Sequence, residues 1–401
     1  MKLTFKWLNE HIKLDKEPAQ IAIDLTSLGL EVEKITSTNS YLNSFYVCEI
    51  LKVYNHPNAD RLKICEITTG NEKYKVVCGA NNASKGLKSV FAVNGSFIPG
   101  KNIHIERKSI RGVEGDGMLC SEEELSLPIT QDGIIELDAN CELGKRLSDY
   151  IEEDFFLQIG LTPNRGDCAS VRGIARDLGS KLRTNLIERE ANSLIGGFKS
   201  QIDFNLSELN SKKDCPLVYG RHFKIDANKE SPFWLRKKLI SIGLAPISAL
   251  VDITNYILYD LGRPLHVFDL EKIKGNLKVI TLKKDEIFIG LDKKKYLLKK
   301  GDLVIKDNEK TVSLAGIIGG LNSCVDESTK EVFLEAAYFN PKIIANTGRR
   351  TGINSDARYR FERGVDKEGL LEGLEVATKL INNICGGTFS KYTKSGEKII
   401  N

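Results

Sequence analysis

FYVCEILKVY (45–54), LKICEITT (62–69), YKVVCGA (74–80), SVFAVNGSFIP (89–99) and NIHIERKSI (102–110) decide the reading of this chain. Each run is short, rich in β-branched and aromatic residues, and closed off by Asn, Gly or Pro. Five short strands packed into residues 45–110 predict a small closed barrel, and the five-stranded OB type is the economical choice. Residues 41–120 hold 11 Lys or Arg against 7 Asp or Glu, a surplus equal to the +4 of the whole 401-residue chain. Nucleic acid is a common ligand of such barrels. A solvated surface of mixed charge explains the same composition equally well.

Outside these strands the grammar changes. Ile21, Leu25 and Leu28 fall at i, i+4 and i+7 between Pro18 and Gly29, a helix followed by the half-buried strand LEVEKI (30–35). After the strands, LTPNRGDC (161–168) is a turn, and SVRGIARDLG (170–179) is a helix that starts on Ser170 and stops at Gly179. The barrel, residues 41–150, is therefore expected as an insertion in a split N-terminal α+β domain, residues 1–40 and 151–192. SLIGGFKSQ (193–201) reads as a linker. Residues 200–401 form a mixed α/β region. In it Ser231 caps a helix with Pro232 at its first position and Trp234, Leu235, Leu239 and Ile242 on one face. A helix over 247–260, strands at 277–283, 285–290, 302–307 and 311–320, and a helix over 367–384 follow. The fold class is α+β multidomain, without a doubly wound pattern.

Composition excludes several classes. Apolar residues make up 41% and charged residues 28%, as in ordinary globular chains and unlike disordered or fibrous ones. No apolar run reaches the ~18 residues of a membrane helix, and MKLTFKWLNEHIKL lacks the apolar core of a signal peptide. The nine cysteines are scattered singly with no CxxC spacing, which argues against a zinc site or disulfide framework and for the reducing cytoplasm.

No phosphate loop, GxSxG elbow or HExxH is present, so no ATP site or metal site is expected on this chain. Four stretches crowd polar and breaker residues where a plain core has no use for them. In HPNADRLKICEITTG (56–70), Arg61 and Lys63 are candidates for a phosphate backbone. In RGVEGDGMLCSEEEL (111–125), which begins at Arg111, three glycines permit close approach to a ligand or a tight turn. In VDITNYILYDLGRPLHVFD (251–269), Thr254, Asn255 and His266 either wall a pocket or satisfy themselves locally. In SLAGIIGG (313–320) with FLEAAYFNP (333–341), Glu335 is a carboxylate in an apolar run, expensive without a partner. Five arginines between 348 and 366 offer such partners, and Asp356–Arg360 and Arg358–Glu362 stand at helical spacing.

These four stretches, with VCGANN (77–82), TPNRGDCASVRGIARDLG (162–179) and SDARYRFERGVD (355–366), resemble in order the N-terminal half of the bacterial phenylalanyl-tRNA synthetase beta subunit family. The resemblance implies an OB-type tRNA-binding barrel with Arg61, Lys63 and Arg111 toward RNA, and a central domain pair forming an editing site. That site would hydrolyse tyrosine mischarged onto tRNA(Phe), with Thr254, His266 and Glu335 as its acting groups and Asn255, Val267, Ala315 and Gly316 around the substrate. It also implies an alpha-subunit partner in a heterotetramer of two alpha and two beta chains. ATP and Mg2+ would serve the whole enzyme, with the activation site on the alpha subunit and no cofactor on this chain.

Two departures qualify the resemblance. Val267 stands where the family usually has alanine, which would narrow the pocket. The family also continues for about as long again past residue 401, through the segment with magnesium ligands, the domains that meet the alpha subunit and the anticodon-binding domain. Three readings follow: a ligase subunit for tRNA contact and editing, a stand-alone tRNA-binding module, and a free-standing editing hydrolase.

Overall fold

The computed structural model describes residues 1–127, 131–189 and 194–397. Residues 190–193, at the expected end of the split domain and start of the linker, lie outside it. The chain forms two compact units, Met1–Ile35 with Leu157–Asn401, and Thr36–Phe156.

In the Thr36–Phe156 unit five antiparallel strands run in the order Gly117–Leu119, Lys88–Val93, Phe45–His56, Ala59–Thr68, Lys73–Cys78. Alternation puts Cys48 and Ile50 in one core with Cys65, Ile67 and Val76, and Phe45 in another with Val90 and Ala92. The ladder is open among the described residues, where a closed barrel was expected. The sheet nevertheless curls until its edges touch. The Asp116 N–H donates to the Lys75 carbonyl at 2.8 Å, and the Asp116 carboxylate accepts from the Lys75 N–H at 3.0 Å. The outer strand Gly117–Leu119 is too short to extend that contact into a ladder.

The other unit begins with a three-stranded sheet, Lys2–Thr4, Phe155–Gly160 and Glu31–Ser37, and with the helices Pro18–Ser27 and Val171–Leu182. Ser170 caps the latter by accepting from the Gly173 N–H at 2.9 Å. The helix runs through Gly179 to Leu182, past the expected stop. Gly179 is there for closeness: a Cβ would sit 2.8 Å from the Thr184 carbonyl oxygen and 3.2 Å from Ile12. Ser231 does not cap the helix Phe233–Ser241. Its hydroxyl donates to buried Asp252 at 2.6 Å, and Pro232 takes the cap position.

The rest of this unit is three layers. The central sheet has the order His266–Asp269, Glu331–Tyr338, Leu217–Lys224, Thr388–Phe389, with Thr393–Gly396 also pairing Leu217–Gly220. The helices Ala249–Leu261 and Leu370–Cys385 share a core with Val332, Leu334 and Ala336. Phe333 and Ala337, on the opposite face, pack with a second five-stranded sheet: Phe204–Asn205, Leu277–Thr281, Leu303–Lys306, Thr311–Leu314 and Ile318–Gly319. Among the described residues no helix is long and apolar enough to cross a membrane.

Candidate active site

Alternation along EVFLEAAY (331–338) decides where Glu335 points. Its even-numbered apolar neighbours belong to the helix-side core and its odd-numbered ones to the sheet–sheet core, so Glu335 faces the second sheet. His266 lies directly across the ladder from Glu335, on the same face as Phe268, whose ring meets the imidazole edge-on at 4.4 Å. Glu335 is 5% exposed and has no hydrogen bond or ion pair among the described residues. His266 is partly exposed, but its Nε2 is sealed off and also lacks a partner. Burial pushes the Glu335 carboxyl up to about 8 and the His266 imidazole down to about 4. Both groups are therefore neutral near pH 7, each with unused hydrogen-bonding capacity. Cys215 is the neighbouring thiol, held well above its ordinary range by burial and then by Glu335.

Four of the five arginines expected to pair with Glu335 are committed elsewhere, and the fifth, Arg349, is exposed. Arg358 bonds Glu362 at 3.0 Å, Arg363 bonds Glu362 and the Tyr359 carbonyl, each at 3.0 Å, and Arg360 donates to the Ala169 carbonyl at 2.9 Å. Arg350 pairs with Asp302. The helical spacing does produce its pairs: Arg358–Glu362 and Arg360–Asp356, the latter at 3.4 Å.

The other expected site residues are held by contacts of their own. The Thr254 hydroxyl donates to the Val251 carbonyl at 2.8 Å on the helix Ala249–Leu261, and Asn255 is half-buried beside it. No hydrogen bond joins either to His266 or Glu335 among the described residues. Val267 is buried in the helix-side core. Being one residue on from His266 turns it to the other face, so it does not narrow the space beside Glu335. Ala315 is fully buried in the sheet–sheet core. Gly316 has φ +68°, and a Cβ there would crowd Phe339, Ile344 and Phe361.

The residue that meets His266 is Gly319, which the sequence reading did not single out. A Cβ on Gly319 would lie 2.4 Å from the imidazole Cε1, 2.9 Å from Nε2 and 3.0 Å from Leu291. The imidazole thus rests on bare backbone. The doubled glycine that ends SLAGIIGG was the available signal.

In the Thr36–Phe156 unit the two polar stretches meet. The Asn58 N–H donates to His56 Nδ1 at 3.1 Å, which leaves the proton on Nε2 to bond the Ile110 carbonyl at 3.1 Å. The Asn58 amide donates to the Arg111 carbonyl at 3.0 Å. Arg111 and Gly112, with φ +49° and +90°, form the tight turn of the hairpin Lys108–Ile110/Val113–Gly115. Gly112 thus serves a turn, whereas Gly117 permits close approach: a Cβ there would sit 2.3 Å from the Ala92 carbonyl oxygen. Arg61 is exposed and has no partner among the described residues. Lys63 is held in place: two of its three ammonium donors go to the carbonyls of Asn81 and Ala83 at 2.9 and 3.0 Å. Arg61→Ala with Arg111→Ala is therefore expected to lower RNA affinity and flatten its log–log salt dependence by about 1.8, at ~0.9 per lost phosphate contact. Lys63→Ala should lower the melting temperature and leave that slope alone. A slope that follows Lys63 and ignores the two arginines would move the RNA surface.

One cluster has metal-ligand chemistry among the described residues: Asp167, Cys168 and Asp177. Two guanidinium groups fill it. Arg165 bonds Asp167 at 3.0 Å and also Asp177; Arg176 bonds Asp177 at 2.7 Å and also Asp167. The TPNRGDC stretch is a structural ion-pair knot.

Residues 45–146 match the family model of a putative tRNA binding domain, and residues 214–386 that of the B3/4 domain. The chain is 45% identical over 397 residues to the phenylalanine–tRNA ligase beta subunit of Paramagnetospirillum magneticum, covering 99% of this chain and 50% of that protein. It is 44% identical over 393 residues to the beta subunit of Bartonella henselae, covering 98% and 49%. A fragment of the Pyrococcus horikoshii phenylalanyl-tRNA synthetase beta subunit aligns at 15% identity over 61% of this chain and 67% of that one; its TM-score of 0.30 carries no argument. These relatives are subunits of an aminoacyl-tRNA synthetase. The chain belongs to the phenylalanine–tRNA ligase beta-subunit family, and it spans about half the length of the curated relatives it matches.

Proposed function

We propose that this chain supplies tRNA binding and a hydrolytic editing site to a phenylalanine–tRNA ligase. In this reading residues 41–150, curled as described, act as an OB-type tRNA-binding domain. They interrupt a split domain of residues 1–40 and 151–192, and residues 200–401 carry the editing pair. The alpha subunit, tRNA(Phe), ATP and Mg2+ belong to the whole cytoplasmic enzyme.

The observation that carries the editing reading is the His266–Glu335 pair. A buried carboxyl and an imidazole with a sealed Nε2 lie opposite each other across a ladder, and neither has a protein partner among the described residues. Buried polar groups without partners are disfavoured unless a ligand or water completes them. Phenylalanine and tyrosine differ by one hydroxyl, and a buried polar group is the device that discriminates them. Glu335 offers that hydroxyl an acceptor oxygen in either protonation state. The neutral His266 ring turns its sealed Nε2 toward Gly319, and its other nitrogen, Nδ1, would accept from a water that attacks the ester carbonyl. The tRNA hydroxyl then leaves with a proton, and tyrosine is released. Among the described residues no nucleophile and base form a triad here, so a positioned water replaces a covalent intermediate. Thr254 and Asn255 would contribute to the site from the helix Ala249–Leu261.

In a folded Glu335→Ala variant, the preference for tyrosyl- over phenylalanyl-tRNA(Phe) deacylation should shrink about 5- to 150-fold. The phenol would then be buried without a partner, a loss of ~1–3 kcal/mol. An unchanged ratio removes Glu335 from the role of hydroxyl reader.

A further inference from the structure

The hairpin Glu286–Ile289/Lys295–Leu298 is a basic ridge that the editing reading leaves unused. Residues 283–300 contain seven lysines and three acids, a surplus of four, equal to that of the whole chain. All seven lysines are exposed. The acids are already engaged: Asp285 with Lys299 at 2.7 Å, Glu286 with Lys306 at 2.7 Å, and Asp292 with the Tyr296 hydroxyl at 2.5 Å. Lys283, Lys284, Lys293, Lys295 and Lys300 have no acidic partner among the described residues. Arg350, at the end of the helix Pro341–Thr351, donates to the Leu297 carbonyl at 3.2 Å, which ties a second basic element to this hairpin.

The ridge also abuts the candidate site. The hairpin's turn residue Leu291 donates its N–H to the Gly319 carbonyl at 3.0 Å, and its side chain and the His266 ring converge on Gly319. The outward face carries the cross-strand pair Ile287 and Leu297, 66% and 47% exposed, beside Lys295. Lysines flanking an apolar strip suit a polyanion that also presents sugar and base faces.

We infer that this hairpin binds the phosphate backbone of the RNA whose esterified end enters the His266–Glu335 site. The inference rests on the editing reading for the location of that end, and on charge and exposure for the contact itself. An anionic membrane would satisfy the lysines and the apolar strip. RNA is favoured because the ridge stands beside the candidate site of a tRNA-ligase-family chain.

The test uses the full chain with Lys283, Lys284, Lys293 and Lys295 changed to glutamine, and a control with Lys212→Gln and Lys213→Gln. All six lysines are exposed. Binding of uncharged tRNA(Phe) is measured across a salt series. The four-site variant should bind at least tenfold more weakly at low salt, with the log–log slope shallower by about three, at ~0.7–0.9 per contact. The control should match wild type. In tyrosyl-tRNA(Phe) deacylation the variant should raise KM and keep kcat. An unchanged salt slope overturns the inference, and so does an equal loss in the control. Binding to phosphatidylserine vesicles that depends on the four lysines, with tRNA binding intact, overturns it in favour of a membrane. If the editing reading fails, wild type and variant alike lack deacylation, and the salt slope still decides the ridge.

Discussion

Replacing Glu335 with glutamine is expected to remove most of the alkaline loss of stability and leave the protein several kcal/mol more stable than wild type at pH 8.5. The folded-state carboxyl titrates near 8 because of burial, against an ordinary value of 4.5. Between these values the folded state holds a proton that the unfolded state has released. The stability linked to that proton is fully present below pH 4.5 and lost as pH rises through 8, at ~1.4 kcal/mol per pH unit and ~5 kcal/mol in all. Glutamine cannot ionise, so its curve lacks this slope. His266 works in the other direction. Burial lowers its pKa from 6.5 to about 4, so the stability of its neutral form is complete above pH 6.5 and falls by ~3 kcal/mol as pH drops through 4. Between pH 4.5 and 6.5 the two slopes oppose, and wild type should be nearly flat there. In Glu335→Gln the histidine slope stands alone, so this variant should lose stability on acidification from 6.5. Urea unfolding at pH 5, 6.5 and 8.5 measures all three limbs. Parallel curves for wild type and variant would mean that Glu335 has a compensating partner in solution.

Gly319→Ala should cut tyrosyl-tRNA(Phe) deacylation about a hundredfold while the protein stays folded. The added methyl would overlap the His266 imidazole at 2.4 Å and Leu291 at 3.0 Å, so the ring must turn or the strand must shift. Ile318–Gly319 is a two-residue strand at the edge of its sheet, which can move without breaking the core. A displacement of ~1 Å in a group that positions a reacting water is enough for a loss of that size. Gly197→Ala is the matched control. No atom lies within 4 Å of its Cβ position, and it should be silent in both activity and melting temperature. Full deacylation by folded Gly319→Ala would show that the placement of His266 is irrelevant to hydrolysis.

Local patterns were legible from sequence where one period or one cap decided the outcome. The strand runs of residues 45–93, the Ser170 cap and the ion pairs of Asp356–Phe361 follow from spacing alone, because their partners are a few residues away or alternate on one strand. Alternation also fixed that Glu335 would face opposite to Leu334 and Ala336. What lay on that opposite face was not in the sequence. The partnerless state of Glu335 depends on four of the five nearby-looking arginines finding another acceptor, at distances set by packing, and on Arg349 standing exposed. The displacement of Val267 from the site depends on a strand pairing with residue 335 rather than its neighbour. Lys63 reads as a free cation in sequence, yet the loop at 81–83 brings two carbonyls to it. Gly319 reads as one more turn glycine until a histidine fifty-three positions earlier in the chain is laid against it. The sequence by itself therefore determined the strand runs of residues 45–93, several helices and most of the residues that bear chemistry, while the central strand Leu217–Lys224 and the helix Pro341–Thr351 emerged only in the structure. Only the tertiary structure decided which of those residues are satisfied and which are left open, because satisfaction of a buried group is set by long-range contacts that no local period encodes.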